Sequence, residues 1–511
     1  MNLRDYQQAA INLVCQGFME FDRQLVVLPT GAGKTICFAA LAKRFWEKRK
    51  EKTLILSHRE ELVQQAVDKI YKSTGLIAEI EKAESRASLN APIVVGSVQT
   101  LRGDRLQRWP KDHFGLMVAD EAHHALAASW QSTMSYFHDH AKVLGVTATP
   151  SRGDKKNLGQ YFQNIAYEIS LIDLIGRDYL SHIVIKAVPL RIDLNSVRVV
   201  SGEFEANDLG QAIEPYFEQI IGAIKSHASD RKTLVFLPLI QTSQRFAEMC
   251  NRHGITAKHV DGTSEDRKEI LDSFARNEFQ LLSNAMLLME GYDDPSIDCV
   301  VMLRPTKSQP LYAQAIGRGT RLHENKRNFL ILDFLWMHER HQLIRPANLI
   351  AQSQKDADEI SAKVSQGGEE EQDLLEVQRE VNSDRERTLM EEICRQQKRA
   401  ARVFSIQELA IAFESAELAD YEATMDWQDK PVTEKQAATL KKFQIDLESV
   451  RCKGHASAII DKLFHRSKNK LATLGQVRWL TKLGHPNPTK ATFEEAKAFL
   501  DEKWKKKTEV V

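Results

Sequence analysis

At 511 residues the chain exceeds what one hydrophobic core supports, so its length predicts about three or four domains. Hydrophobic residues make up 42% and charged residues 27% of it, which is typical of a soluble globular protein, and no apolar run approaches the ~20 residues of a membrane-spanning helix. The net charge of zero hides an asymmetry, because residues 355–429 carry 20 acidic and 9 basic side chains, whereas residues 430–511 carry 18 basic and 9 acidic ones.

The N-terminus and the cysteines indicate the compartment. The segment MNLRDYQQAAINLV lacks the basic stretch, apolar core and small-residue cleavage site of a secretion signal, so we expect a cytoplasmic protein without a membrane anchor. The six cysteines lie far apart without a C-x-x-C pair. This spacing favours buried thiols over a zinc knuckle or a disulfide framework.

Residues 1–185 alternate short apolar runs with longer amphipathic segments. The runs are continuously hydrophobic, as are strands of a parallel sheet covered on both faces: QLVVL (24–28), TLILS (53–57), PIVVG (92–96), GLMVA (115–119) and KVLGVTA (142–148). Between them, segments such as TICFAALAKRFWEK carry apolar residues at three- and four-residue spacing, which predicts crossover helices. The pattern predicts a doubly wound α/β domain.

The same pattern returns at 229–345, after a predicted connector at 186–228. Its strands read KTLVFL, AKHV, QLLSN, DCVVML and FLILD. Beyond residue 345 the strand signal is lost, and 346–429 reads as an acidic helical connector. A long charged helix is predicted at 369–402, as a solvated connector or an arm for a protein partner. The region after the second α/β domain is therefore expected to be all-α.

The basic module at 430–511 contains an internal repeat. TEKQAATLKKFQ (433–444) aligns without gaps with TLGQVRWLTKLG (473–484), and each copy begins with a T-x-x-Q capping box. We therefore predict two helical hairpins, with the equivalent Phe464 and Trp504 in their cores. The lysines and aromatic rings of the module suit phosphate neutralisation and base stacking, so nucleic acid contact, protein docking and an inert cap all stay open.

Two motifs carry the chemistry of the first domain: a phosphate-binding loop and an acidic pair. LVVLPTGAGKTICF (25–38) has Leu28 at the usual first glycine of a phosphate-binding loop, but keeps a strand, a glycine-rich turn and Lys34. GLMVADEAHHA follows another strand, so Asp120 is suited to hold Mg²⁺ with Thr35, and Glu121 to orient and deprotonate water. A metal pair at the adjacent histidines is disfavoured because no third ligand is spaced to join them. The nucleotide-binding loop residues are predicted as Thr30, Gly31, Ala32, Gly33, Lys34 and Thr35.

Together these motifs resemble the superfamily 2 helicases and translocases with a DEAH-type motif II, a family whose phosphate loop lacks the first glycine. LRDYQ, LSHREELVQQ, GSVQTL, TATP, LLSNAMLLMEGYDDP and QAIGRGTRL match its further motifs in order. The resemblance implies two tandem RecA-like domains that bind ATP and Mg²⁺. It also implies roles in adenine and nucleotide binding for Arg4, Gln7, Gly291 and Asp293, in coupling for His123, Thr147, Thr149 and Gln314, and in nucleic acid contact for Arg59, Ser97 and Thr100.

Arg318 and Arg321, three residues apart, approximate one face of a helix. By the resemblance they reach across the interdomain cleft to the γ-phosphate and neutralise charge in the transition state, so hydrolysis requires the cleft to close.

The motifs look most like the RadD and XPB-like branch, which acts chiefly on DNA, although the cysteine-rich zinc element of RadD is missing here. An ATP-dependent DNA helicase or translocase is therefore expected. An RNA helicase, or an ATPase switch subunit of a restriction, repair or defence complex, remains as an alternative.

Overall fold

The structure is a computed structural model that describes residues 3–57, 60–137, 139–148, 158–200, 203–285, 287–289, 292, 294–337, 343–351, 353–367, 370–396, 404–415, 418–423 and 427–508. Its contacts divide the chain into two compact units, Met1–Gln378 and Arg379–Val511. No helix in these ranges has the length and apolar character that crossing a bilayer requires.

The first unit begins with a seven-stranded parallel sheet in the order β3-β4-β2-β5-β6-β1-β7. Its strands are β1 (Arg23–Val27), β2 (Thr53–Ser57), β3 (Ala78–Glu81), β4 (Ile93–Ser97), β5 (Leu116–Asp120), β6 (Lys142–Thr147) and β7 (Asn164–Glu168). Its helices are α1 (Asp5–Gly17), α2 (Lys34–Arg49), α3 (Glu60–Thr74), α4 (Asp104–Gln107), α5 (Ala128–Phe137) and α6 (Leu171–Gly176).

The five predicted strands of this sheet are confirmed as its central strands. β2 and β4 are buried along their whole length, as continuous apolar runs require in a sheet covered on both faces. β1, β6 and β5 are neighbours, so their carboxyl ends meet at one edge. That edge places the phosphate loop, Thr147 and the Asp120–Glu121 pair together.

A second seven-stranded sheet has the order β12-β13-β11-β14-β15-β8-β16, parallel except for β16. Its strands are β8 (Ile183–Asp193), β11 (Thr233–Phe236), β12 (Ala257–Val260), β13 (Leu281–Asn284), β14 (Cys299–Met302), β15 (Phe329–Met337) and β16 (Gln372–Asp373), and β9 (Val199–Val200) and β10 (Glu203–Phe204) form a separate hairpin. Its helices are α7 (Ala206–Ile213), α8 (Phe217–His227), α9 (Ile240–Arg252), α10 (Arg267–Ala275), α11 (Gln309–Ile316) and α12 (Gln354–Gln366). The predicted fold class of two α/β parallel-sheet domains is confirmed.

The segment 186–228 is not the connector that the sequence predicted. β8 pairs with β15 along its whole length, and apolar residues of α7 and α8 belong to the core of the second domain. The link between the two sheets is therefore the short stretch before Ile183. The prediction failed because β8 carries Lys186 and Arg191 among its apolar residues and so lacks a continuous hydrophobic run.

The second unit is helical, and the unit boundary falls within α13 (Leu374–Gln396). It contains α14 (Ile406–Ala412), α15 (Glu434–Lys442), α16 (Lys453–Lys468), α17 (Leu474–Lys482) and α18 (Phe493–Thr508). The two capping boxes are present, with the Thr433 and Thr473 hydroxyls accepting from the amides of Gln436 and Gln476. α15 pairs with α16 and α17 with α18, as the repeat predicts.

Two expectations for this region are wrong. One core cluster runs from Phe404 to Leu500, so the folded module begins well before residue 430 and the stretch 346–429 is not a uniform connector. Phe464 is 56% exposed instead of buried, because the α16 residues that face the core are Ile459 and Leu463. The Trp504 side chain lies outside the described residues, as do parts of the predicted helix at 369–402.

Candidate functional site

The phosphate loop, defined here as residues 28–33 between β1 and α2, turns on two left-handed glycines. Gly31 has φ +89° and Gly33 has φ +82°, a conformation that strains residues with a Cβ. Among the described residues, the amides of both glycines, Lys34 and Thr35 have no hydrogen-bond acceptor, and the Thr30 hydroxyl is buried without a partner. Unused amides at a helix N-terminus attract anions, so this loop fits phosphate groups.

Leu28, which replaces the usual first glycine, is a core residue. Its side chain is fully buried, and its amide donates to the Thr147 carbonyl at 3.0 Å, which extends the pairing of β1 with β6 by one residue. A large apolar side chain is therefore compatible with the loop, since the turn itself begins after this position.

Residues at the start of α1 hold the loop from the other side. The Tyr6 hydroxyl and the Gln7 side-chain amide donate to the Ala32 carbonyl at 2.7 and 3.1 Å. The Gln7 carbonyl oxygen accepts from the Arg4 amide at 3.0 Å, so both ends of the Gln7 side chain are bonded within the protein. The Arg4 guanidinium donates to the Tyr179 carbonyl at 3.2 Å and lies 5.1 Å from the centre of the Tyr179 ring. Arg4 therefore lies against Tyr179, next to the residues that bond to the loop.

Lys34 and the acidic pair meet at the carboxyl edge of the first sheet. The Lys34 ammonium donates to Glu121 Oε1 at 2.9 Å, and both side chains are mostly buried. Burial and the neighbouring Glu121 raise the pKa of Asp120 to about 7. Burial also raises the pKa of Glu121, but the charges of Lys34, His123 and Arg318, together with the hydrogen bond from Lys34, hold that pKa below its ordinary value. Lys34 thus pairs with Glu121, and the raised pKa of Asp120 marks a carboxyl group that a further cation would stabilise.

The backbone of Glu121 adopts φ +53° and ψ +57°, a left-handed conformation that few residues other than glycine occupy. Such strain collects at functional sites, where surrounding structure enforces it. Glu121 Oε2 lies 3.5 Å from His123 Nδ1, which is also 3.5 Å from the Thr147 hydroxyl. His123 therefore lies between Glu121 and the end of β6, and its coupling role with Thr147 stays a prediction.

The two arginines follow α11 on the second domain. Arg318 donates to the Tyr292 carbonyl at 2.7 Å, and its positive charge contributes to the lowered pKa of Glu121. Burial and the guanidinium groups of Arg321 and Arg318 lower the pKa of Lys69, on α3, to about 8, while Asp120 opposes this shift. Arg318 therefore acts electrostatically on Glu121, and both arginines act on Lys69 of the first domain.

The arginine segment, defined as residues 317–321, lies directly on the phosphate loop. The Thr320 hydroxyl lies 3.1 Å from the Gly317 carbonyl oxygen, its nearer acceptor, and 3.4 Å from the Thr30 carbonyl oxygen of the phosphate loop. A Cβ placed on Gly317 would stand 2.3 Å from Thr30 Cβ, and one on Gly31 would stand 3.6 Å from Arg321 Cγ. The two halves of the site are thus in contact, with the cleft closed.

Several predicted site residues do not join this cluster. Ser97 is fully buried, with its hydroxyl bonded to the Gln99 carbonyl oxygen at 3.0 Å, so the exposed Gln99 and not Ser97 presents a side chain to solvent. Thr100 is half-buried beside it, and Gln314 is buried in α11. The predictions for Arg59, Thr149, Gly291 and Asp293 lie outside the described residues.

Sequence reasoning missed Tyr6, Tyr179 and Lys69. Tyr6 stands inside the predicted adenine motif and its pattern could have drawn attention to it. Tyr179 and Lys69 lie far from their partners in the chain, and no motif spacing marks them.

Comparisons with known proteins give matches over both α/β domains. Residues 1–152 match the family described as "Type III restriction enzyme, res subunit", and residues 215–323 match "Helicase conserved C-terminal domain". The chain is 30% identical over 355 residues to "Putative ATP-dependent helicase IRC3" of Saccharomyces cerevisiae, covering 65% of this chain and 51% of that one. It is 34% identical over 350 residues to "Putative mitochondrial ATP-dependent helicase irc3" of Schizosaccharomyces pombe, covering 65% and 57%.

Among solved structures, the chain resembles an ATP-dependent Type ISP restriction-modification enzyme, LlaBIII, bound to DNA. The TM-score is 0.53 at 19% identity, covering 70% of this chain and 29% of that one, which indicates a shared fold. The chain spans little more than half the length of the two fungal relatives.

Proposed function

Since this chain belongs to superfamily 2 of the helicases, we propose that it is an ATP-dependent DNA helicase or translocase. One observation carries the proposal: the arginine segment of the second domain touches the phosphate loop of the first, beside the paired Lys34 and Glu121. A site split between two domains ties hydrolysis to their opening and closing, and such movement against a bound strand produces translocation.

Each charged residue has a defined part in this reaction. Lys34 exchanges Glu121 for the β- and γ-phosphates of ATP when the nucleotide binds. Glu121 is then released to orient the attacking water and accept its proton. Arg318 and Arg321 neutralise charge on the transferred phosphoryl group, an effect worth ~10³ to 10⁵ in rate in related reactions.

Mg²⁺ belongs to the same proposal. The Thr35 hydroxyl and the Asp120 carboxylate are the hard oxygen ligands that this ion prefers, and the raised pKa of Asp120 marks a carboxyl group that gains from a nearby cation. Bound there, Mg²⁺ would neutralise phosphate charge.

The decisive experiment measures ATP hydrolysis without nucleic acid and with single-stranded DNA, duplex DNA or RNA, each at two salt concentrations. Lys34→Ala is expected to abolish turnover. Lys43→Ala, on an exposed part of the same helix, is the matched control and should keep it. Turnover that survives in Lys34→Ala would refute the site.

The same assay separates the alternative functions. DNA is favoured because the motifs look most like those of the RadD and XPB-like branch, which acts chiefly on DNA. Stimulation by RNA alone would replace the proposal with an RNA helicase. Hydrolysis that no nucleic acid stimulates would favour an ATPase switch subunit, an alternative supported by the match of residues 1–152 to a restriction-enzyme subunit family. The RadD and XPB-like assignment and the cytoplasmic location stay predictions.

The C-terminal module is proposed to contact the nucleic acid. Trp479 is 42% exposed and the Lys482 ammonium lies 5.0 Å from its ring, which places a stacking surface beside a phosphate-binding charge. Double replacement of both residues by Ala should weaken single-stranded DNA binding and lower its salt dependence. Lys48→Ala, an exposed charge on α2, is the control. Unchanged affinity and salt slope would favour the remaining options, protein docking or an inert cap.

A further inference from the structure

A buried lysine outside every recognised motif binds the arginine segment through its main chain. The Lys326 ammonium donates to the Ile297 carbonyl at 2.6 Å, to the Arg321 carbonyl at 3.1 Å and, in a short contact, to the Gly319 carbonyl. It therefore joins the loop before β14 to the residues that carry the arginines.

The number of bonds matches the donor capacity of an ammonium group. A protonated lysine has three N–H groups and no acceptor, so all three protons of Lys326 are used. The Phe329 ring lies 5.2 Å from the ammonium on a further side. Burial lowers the pKa of Lys326 to about 7, with Asp298 and Asp294 opposing this shift and Arg231 and Arg321 adding to it.

The arginine segment is also hydrogen-bonded to the short link between the two domains. The Ser181 amide donates to the Thr320 carbonyl at 2.7 Å. Three successive carbonyls, those of Gly319, Thr320 and Arg321, are thus bonded alternately by Lys326 and by Ser181.

The residue types in the arginine segment fit these hydrogen bonds from Lys326 and Ser181. A Cβ on Gly319 would stand 1.9 Å from the Phe329 ring, so the backbone packs directly on the aromatic face. α11 ends at Ile316, so the carbonyls of Gly319 and Arg321 lie beyond the helix and need donors from elsewhere in the chain, which Lys326 supplies.

We propose that Lys326 is a positioning residue for ATP hydrolysis, which fixes the backbone from which Arg321 and Arg318 reach the phosphates. The inference rests on the proposed function. Transition-state stabilisation depends on preorganised charges, and a displacement of ~1 Å in such groups costs about 100-fold in rate. Lys326 touches no reacting atom and acts only by restricting the arginine segment.

A purely structural role is the competing explanation, and Arg231 provides a matched control for it. Arg231 is 2% exposed in the same domain and donates to the carbonyls of Asp298 and Asn328, at 3.3 Å each. It is a buried cation bonded to main-chain carbonyls, but none of them belongs to the arginine segment.

The experiment compares full-length Lys326→Met and Arg231→Met with the unaltered protein in ATP hydrolysis and thermal unfolding. We expect Lys326→Met to lower kcat about 30- to 100-fold, with KM for ATP within about threefold. Arg231→Met should lower the unfolding temperature comparably but keep kcat within about threefold. Lys326→Arg, which retains donors for the carbonyls, should recover part of the lost kcat.

The proposal is overturned if folded Lys326→Met keeps kcat within about threefold, if Arg231→Met loses as much kcat, or if Lys326→Arg is no better than Lys326→Met. Should Lys326→Met not fold, Lys326→Gln, which keeps two N–H donors, replaces it under the same criteria. Failure of the proposed function is recognised separately, because the unaltered protein would then not exceed Lys34→Ala in turnover.

Discussion

Replacing Gly317 with alanine adds one methyl group where the two domains meet. Gly317 has φ −58° and ψ −13°, a right-handed helical conformation that alanine adopts without strain. The added Cβ would stand 2.3 Å from Thr30 Cβ and 2.5 Å from Thr30 Cγ2, across the cleft. The Cβ would also stand 2.8 Å from the Ala313 carbonyl within the second domain, so the substitution should obstruct the approach of that domain to the phosphate loop and also shift the end of α11 slightly.

The size of the effect follows from the missing space. Carbon atoms in contact are separated by ~3.5 to 4.0 Å, so the arginine segment must withdraw by at least about 1.2 Å. A misplacement of ~1 Å costs about 100-fold in rate, which corresponds to ~2.7 kcal/mol of transition-state stabilisation. We expect Gly317→Ala to lower kcat about 100-fold and, because of the contact with the Ala313 carbonyl, to lower the unfolding temperature by about 2 to 4 °C.

Steady-state ATP hydrolysis at saturating DNA and differential scanning calorimetry measure the two quantities. Gly222→Ala is the matched control, because its Cβ meets nothing within 4 Å on the exposed face of α8. It should keep kcat and stabilise the protein by ~0.5 to 1 kcal/mol. The reasoning is refuted if Gly317→Ala hydrolyses ATP at the normal rate, or if it unfolds at a much lower temperature, since closure would then not be what the methyl group blocks.

Three further predictions concern the catalytic base, an acid-sensitive carboxylate and the C-terminal unit. Glu121→Gln should bind a fluorescent ATP analogue normally but lower kcat by ~10² to 10⁴, and undiminished phosphate release would exclude Glu121 as the base. Hydrogen bonds from Thr263 and His259 lower the pKa of Asp261 to about 2. The Asp261 carboxylate therefore stabilises the folded protein by about 2 kcal/mol above pH ~4, and this stabilisation is lost as the pH falls towards 2. In urea unfolding, Asp261→Asn should be less stable than the unaltered protein at pH 6, and the difference in free energy of unfolding should narrow at pH 3. Arg466 donates to three main-chain carbonyls, so Arg466→Met should destabilise the C-terminal unit by about 3 kcal/mol in urea unfolding, and a loss below about 1 kcal/mol would contradict that role.

Much of the fold was predictable because the central strands are continuous apolar runs. β2, predicted at 53–57, spans Thr53–Ser57. β8 was missed because Lys186 and Arg191 interrupt its hydrophobic pattern, and its place beside β15 depends on residues ~150 positions later in the chain. Phe464 was assigned to a core because it is equivalent to Trp504, but equivalence in a repeat does not decide which side of a helix faces its partner.

The site residues also fall into two groups, those that local sequence motifs predict and those that only tertiary contacts reveal. Lys34 and Glu121 were predictable because each follows a strand within a recognisable motif, and the 2.9 Å ion pair agrees with the expected edge of the sheet. Lys69, Tyr179 and Lys326 gave no signal. Their relevance comes from tertiary contacts with charged groups or main-chain carbonyls, which sequence spacing does not encode.

The short link between the domains, residues 179–182, contacts both halves of the candidate site. The Tyr179 carbonyl accepts from Arg4, Leu180 places its Cδ2 3.2 Å from where a Cβ of Gly31 would stand, and the Ser181 amide donates to the Thr320 carbonyl of the arginine segment. Three consecutive residues thus contact Arg4, the phosphate loop and the arginine segment. Under the proposed function, an opening of the cleft that removes the arginines pulls on this link, and so also disturbs the residues that hold the nucleotide. Product release and separation of the two domains are then coupled through the main chain of this link, without a separate signalling element.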